Sequence, residues 1–199
     1  MSATPLTVSE ISSAAWRLPS RGRVGMLCLI AAEVAIFTIF VVAYLFYLGK
    51  NVTGPTPKEV LEVPAFLTVC LLSSSITIHL AVKSLKHGTI RSFAVWWLLT
   101  FLLGAIFLVG TGREWHRLIY RDGLTISTNL FGTTYYSLVG LHAFHVTVGL
   151  LALAIVLLFS LFGLVHERDA ERLDVLSLYW HFVDAVWVVV FTVVYLIGR

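Results

Sequence analysis

A chain of 199 residues that is 58% hydrophobic and only 13% charged is not an ordinary soluble domain, where about a quarter of residues carry charge. Its mean hydropathy of +0.90 points the same way. The net charge of +3 is small and scattered among polar segments, so nothing in it argues for a nucleic-acid partner.

The polar stretch 1–23 (Ser12, Ser13, Arg17, Arg21, Arg23) contains no short apolar core followed by a cleavage-site pattern, and no removable signal peptide is expected. Five apolar runs follow, each long enough for the ~20 residues that a spanning helix needs. The first covers 24–48 and is closed by a loop containing Gly54, Pro55 and Pro57. The second, 64–82, opens on Pro64, a favourable first-turn residue. A basic loop (Lys83, Lys86, His87, Arg91) leads to the third, 92–112, with a polar extension through Trp115 and His116. The turn Arg121-Asp122-Gly123 and a surface loop to Asn129 precede the fourth, which begins near Phe131 or Tyr135 and covers 135–165. A charged loop from His166 to Asp174 leads to the fifth, 175–198. The predicted fold is an all-α polytopic membrane protein, a bundle of five transmembrane helices without repeats or a soluble domain. Eight lysines and arginines against six place the N-terminus inside and the C-terminus outside. The cysteines, Cys28 and Cys70, lie inside apolar runs, where inert packing is expected rather than a disulfide.

Charged and imidazole side chains inside these runs are the functional candidates, because each is costly in hydrocarbon. Glu33 lies about 14 Å into the first span at ~1.5 Å per residue, near the midplane. It shares a helical stripe with Met26, Phe37, Phe40 and Tyr44. Two readings stand side by side: a neutral acid hydrogen-bonded to a neighbouring helix, or a proton or carboxylate-reagent site. His142 and His145 sit three residues apart in the fourth span, with Gly149 and Ala152 on the same face. Small residues there let another helix come close. Gly140, Ala143, Thr147 and Ala154 form a second small face, which suggests a central helix flanked on both sides. In the fifth span His181, Asp184, Val188, Phe191 and Tyr195 form one stripe that should face protein, since an aspartate near the bilayer centre costs at least ~2.5 kcal/mol. By depth, His145 and Asp184 are at comparable heights, and an imidazole–carboxylate bond between them is expected. His79, following Ser73, Ser74 and Ser75, is expected at the height of His181. Two histidines with scattered carboxylates meet the donor count of a metal site only loosely, so packing and hydrogen bonding are preferred to ligation. The aromatics Trp96, Trp97, Trp115, Trp180, Trp187, Tyr120, Tyr135 and Tyr136 read mostly as an interfacial belt.

Three ordered blocks carry a resemblance. Gly25-Met-Leu-Cys-Leu-Ile-Ala-Ala-Glu33, then Phe131 through His142-Ala-Phe-His145 to Gly149, then Tyr179-Trp-His181-Phe-Val-Asp184-Ala-Val-Trp187 resemble the signatures of the haem–copper oxidase subunit III family. Glu114 follows the third span where that family usually has an acidic residue. The resemblance implies an accessory membrane subunit without a cofactor of its own, haem and copper being held by partner subunits. It implies packing on oxidase subunit I beside subunit II, support of proton uptake into subunit I, and protection of its metal centre during turnover. Phospholipid bound in a cleft, on a proposed oxygen path, is implied as well. Glu33 matches the family's carbodiimide-reactive glutamate. The chain looks like the short five-helix form of the bacterial plasma (inner) membrane. The helices that wall the lipid cleft in seven-helix forms have no counterpart here, so that geometry does not carry over intact. Glu33, where some quinol oxidases have aspartate, inclines the reading to cytochrome c oxidase. The alternatives are the equivalent quinol oxidase subunit, a membrane b-type cytochrome with His142 or His145 and His181 as ligands, or a small transporter. Neither the internal symmetry nor the broken helices of the last are evident.

Overall fold

The computed structural model describes residues 20–50 and 54–198. The polar stretch 1–19 therefore lies outside the described residues, whereas Arg21 and Arg23 already belong to the first helix. Five long helices make up the fold: α1 (Arg21–Tyr47), α2 (Ala65–Lys86), α3 (Ile90–Tyr120), α4 (Leu130–Leu161) and α5 (Ala170–Phe191). All five regions are long and apolar enough to cross a membrane. The backbone of α5 continues as a π-helical turn, Thr192–Ile197.

Side chains start two of these helices. Ser20 Oγ accepts from the Arg23 N–H at 3.4 Å, and Asn129 Oδ1 accepts from the Gly132 N–H at 2.8 Å, satisfying amides that have no partner in the first turn. A Cβ at position 132 would lie 2.3 Å from the Thr125 carbonyl oxygen, so the loop before α4 closes tightly only over glycine. The third helix runs on through Trp115 and His116 to Tyr120, well past the apolar run ending at Gly112. At ~1.5 Å per residue, the 31 residues of α3 and the 32 of α4 exceed a ~30 Å hydrocarbon core.

Helices α4 and α5 form the centre. The first packs on α1, α3 and α5, and the second on α1, α2 and α4. The helical hairpin α2–α3 turns through Gly88, whose φ of 74° suits glycine. Helix α1 leans on α4 and α5 and buries only Phe37 and Tyr44. Its exposed face (Ile36, Ile39, Val42, Phe46) is apolar, as a surface against lipid or protein requires.

The aromatic belt is largely not observed. Trp97, Trp180, Trp187 and Tyr135 are at most 1% exposed, and Tyr120 is the one clear surface aromatic of those named. Each buried indole has an N–H acceptor on another helix: Leu153 O for Trp97 at 2.9 Å, Ser74 Oγ for Trp180 at 2.8 Å, Thr68 Oγ1 for Trp187 at 3.1 Å. With its one polar atom satisfied, a tryptophan is a large apolar core residue. Trp180 fills the space left by two glycines: added Cβ atoms would meet its ring at 2.8 Å from Gly104 and 2.7 Å from Gly149. Small residues on α4 thus admit a side chain of α5 rather than a whole helix backbone.

Ionic groups close the two ends. Asp174 receives Lys86 Nζ at 2.9 Å and Arg23 at 3.8 Å, joining the ends of α1, α2 and α5. At the other end Arg117 meets Glu62 at 2.6 Å and donates to the Val60 carbonyl at 3.2 Å. In the short helix Pro57–Val60, Glu59 accepts the Thr56 N–H at 2.9 Å. That bond holds its carboxyl below the usual glutamate range.

Candidate functional site

The polar side chains inside the bundle gather at three places. The first is the α1–α4 interface, where Glu33 Oε2 lies 3.2 Å from His145 Nε2. Glu33, Phe37 and Tyr44 share the inward face of α1, so the stripe read from the sequence is the one that docks. His145 Nδ1 is 2.8 Å from the Leu141 carbonyl, which only accepts, so Nδ1 carries the hydrogen. Its Nε2 therefore is the nitrogen that faces the Glu33 carboxyl group. The Phe37 ring, 5.1 Å from the imidazole, shields the contact, and Tyr179 donates to the His145 carbonyl at 3.2 Å.

This arrangement corrects the expected bond between His145 and Asp184. The carboxylate partner of His145 is on α1, and Asp184 turns the other way, toward α2. There Ser75 Oγ is hydrogen-bonded to Asp184 Oδ2 and lies 3.0 Å from His181 Nδ1. Asp184 is 2% exposed, and its Oδ1 has no hydrogen-bond partner among the described residues. Helices α2 and α5 run antiparallel from the Lys86–Asp174 ion pair, and His79 and His181 each lie two turns further in. They share a height, but His79 points to the outside of the bundle whereas His181 is half-buried. Within the stripe on α5, Asp184 and Tyr195 are buried, but Val188 is 45% exposed and does not face protein in this chain.

The third place is the far end of α3, α4 and α5. The π-helical turn presents Tyr195, whose hydroxyl donates to both Glu114 oxygens at 3.2 Å and lies 3.3 Å from the Tyr135 hydroxyl. Such turns re-aim side chains by adding a residue to the helical cycle. Glu114 borders a recess of about 320 Å³ between Leu67, Arg113 and Arg117. His142 belongs to none of the three groups. It is 1% exposed, between the rings of Phe107 at 5.8 Å and Trp187 at 5.0 Å, and neither nitrogen has a hydrogen-bond partner among the described residues. No three His, Cys, Asp or Glu side chains among the described residues gather closely enough to hold a metal ion.

Ser75, like Ser74 and Thr68, has a role that the sequence alone does not assign. One signal was present: Ser75 and His79 are one turn apart on one helix face, inside an apolar run.

A family model described as cytochrome c oxidase subunit III matches residues 18–199, nearly the whole chain. The chain belongs to this family. It is a subunit III of the haem–copper oxidases, a multi-pass membrane protein with five helices long and apolar enough to span among the described residues. Among its relatives, "Cytochrome c oxidase subunit 3" of Alkalihalophilus pseudofirmus is 34% identical over 171 residues, 85% of this chain and 83% of the relative. The protein of the same name from Corynebacterium diphtheriae is 34% identical over 189 residues, 92% of each chain. "Cytochrome bo(3) ubiquinol oxidase subunit 3" of Pseudomonas aeruginosa is 38% identical over 170 residues, 83% of this chain and 80% of the relative. Similarity thus runs to relatives named for either electron donor. Membership of the family implies partner oxidase subunits in the same complex.

Proposed function

We infer that the chain is the accessory, non-catalytic subunit of a cytochrome c oxidase in a bacterial plasma membrane. It packs on subunit I beside subunit II and steadies the complex while subunit I takes up protons and reduces oxygen. Its amino end faces the inside. The observation that carries this reading is the family match over residues 18–199, on a chain in which Glu33 meets His145 and Ser75 joins Asp184 to His181 between helices. The haem and copper of the reaction belong to the partner subunits. A groove of about 250 Å³ between α1 and α5, lined by Val34, Val41, Phe182 and Val189, supports the lipid reading, since an acyl chain is the kind of group such a surface accepts. A quinol oxidase is the second reading, favoured by the 38% identity to the ubiquinol oxidase relative.

Affinity purification of the tagged chain from mildly solubilised membranes tests the assignment. The expected preparation contains two larger oxidase subunits, shows haem absorption and oxidises reduced cytochrome c. The chain stripped of them is colourless. Oxidation of quinol instead of cytochrome c decides for the second reading. A Soret band that stays with the stripped chain and vanishes in His142→Ala or His181→Ala overturns both.

A further inference from the structure

We propose that Asp184, Ser75 and His181 form a reversible relay that stores one exchangeable proton at the α2–α5 interface. The inference goes beyond the subunit's accessory role and holds whichever electron donor the oxidase uses.

The argument starts from hydrogen counting. Ser75 has one hydroxyl hydrogen and two neighbours on its oxygen, Asp184 Oδ2 and His181 Nδ1. It donates to one of them, so the other must donate to it. Two arrangements satisfy the same positions. In the first, a protonated Asp184 donates to Ser75, Ser75 donates to His181 Nδ1, and the neutral imidazole carries its hydrogen on Nε2. In the second, His181 carries its hydrogen on Nδ1 and donates to Ser75, which donates to an ionised Asp184.

The passage between them is balanced atom by atom. The Asp184 O–H bond breaks and its proton bonds to Ser75 Oγ. The Ser75 hydroxyl proton passes to His181 Nδ1, and the Nε2 proton leaves for a base. The net result is one proton moved from buried Asp184 to the half-buried side of His181, with no free charge left on serine. The imidazole of His79, exposed on the surface of the bundle and at the same height, is a base of the right chemistry. One passage reverses both hydrogen bonds, so a second proton cannot follow in the same direction. Only a proton returning to Nε2 resets the chain. The site therefore stores a proton rather than conducting a current of them.

The surroundings are sparse in charge. Helix α2 contributes His79, and α5 contributes Asp174, held by Lys86 of α2 and Arg23 of α1. On α4 the titratable groups are His142, against Trp187, His145, facing Glu33 of α1, and, at the far end, Tyr135 beside Tyr195 and Tyr136 on the Leu124 carbonyl. None of these provides a second hydrogen-bond route to Asp184, whose one hydrogen-bond partner among the described residues is Ser75.

Magnetic resonance on the full chain in lipid nanodiscs, with isotope-labelled aspartate carboxyls and histidine rings, tests the relay. Asp184→Asn assigns the carboxyl signal against Asp122, Asp169 and Asp174, and His181→Gln assigns the ring. As pH rises, the Asp184 carboxyl is expected to move from acid to carboxylate. Over the same range the hydrogen of His181 moves from Nε2 to Nδ1. Ser75→Ala abolishes that coupling, and Ser75→Thr, which keeps the hydroxyl, retains it. A His181 ring that keeps the same protonated nitrogen while Asp184 titrates overturns the proposal. So does an Asp184 that never changes state, or a coupling that survives Ser75→Ala. If Ser75→Ala fails to fold, the paired titrations of the wild-type chain and Ser75→Thr decide the matter.

Discussion

Glu33 Oε2 stands 3.2 Å from Nε2 of His145, and this contact ties the most exposed helix of the bundle to its centre. Phe37 and Tyr44 are the buried side chains of α1, and Arg23 reaches Asp174 only at its end. Within the span, the contact of Glu33 with His145 therefore adds polar specificity to an otherwise apolar docking face.

Replacing Glu33 separates its chemistry from its packing. Glu33→Gln keeps a hydrogen-bonding amide toward His145 and should leave assembly intact while abolishing carbodiimide labelling of this subunit. Glu33→Leu leaves the His145 nitrogen without its partner, at a cost of about 1–3 kcal/mol. It should lower retention of the subunit in detergent. Labelling mass spectrometry and gel filtration read the two effects, and labelling that persists in Glu33→Gln would refute the assignment.

Trp180 makes the glycines of α3 and α4 sensitive to a single methyl group. Gly149→Ala puts a Cβ 2.7 Å from its ring, and Gly104→Ala one at 2.8 Å. Overpacking of this kind costs about 1–3 kcal/mol. Gly112→Ala is the control, because nothing lies within 4 Å of the added carbon. In a helix interior the same change should stabilise by about 1 kcal/mol. Thermal denaturation in detergent should place the first two variants below the wild type and the third at or above it.

Asp184→Leu should loosen α5 from α2, since Ser75 and not a residue of α4 is its partner. A cross-link between cysteines placed at the facing ends of α2 and α5 should form more slowly in this variant. One between α4 and α5 should be unaffected. Equal rates for the first pair would count against the interface assigned here.

Outside the membrane, Glu59 supplies a pH-dependent contact. Its bond to the Thr56 N–H lowers its carboxyl pKa in the fold, so the stabilisation is complete above the usual glutamate range. It is lost as pH falls through the depressed folded value. Hydrogen exchange at the Thr56 amide should accelerate on acidification relative to neighbouring amides, and Glu59→Ala should remove that difference.

The sequence made some of this plain. The stripe of Glu33 with Phe37 and Tyr44 was readable because a helix fixes which side chains share a face. The closeness of His142 and His145 to the centre was readable because small residues and imidazoles lie together on α4. What stayed hidden was the choice of partner. His145 and Asp184 matched in depth, but depth does not say which helices are neighbours or which way each side chain turns. The same limit affected Trp180 and Trp187: their acceptors, Ser74 and Thr68, lie on another helix, so position near a helix end suggested a water-facing indole.

The lean of α1 on α4 and α5 has a consequence for how the protein is made. Helix α1 leaves the ribosome before α4 and α5, whose side chains receive it. Until α4 arrives, Glu33 must wait in the bilayer without its imidazole. Insertion of this segment is thus a separate event from its docking, and the bilayer must tolerate the acid in the interval.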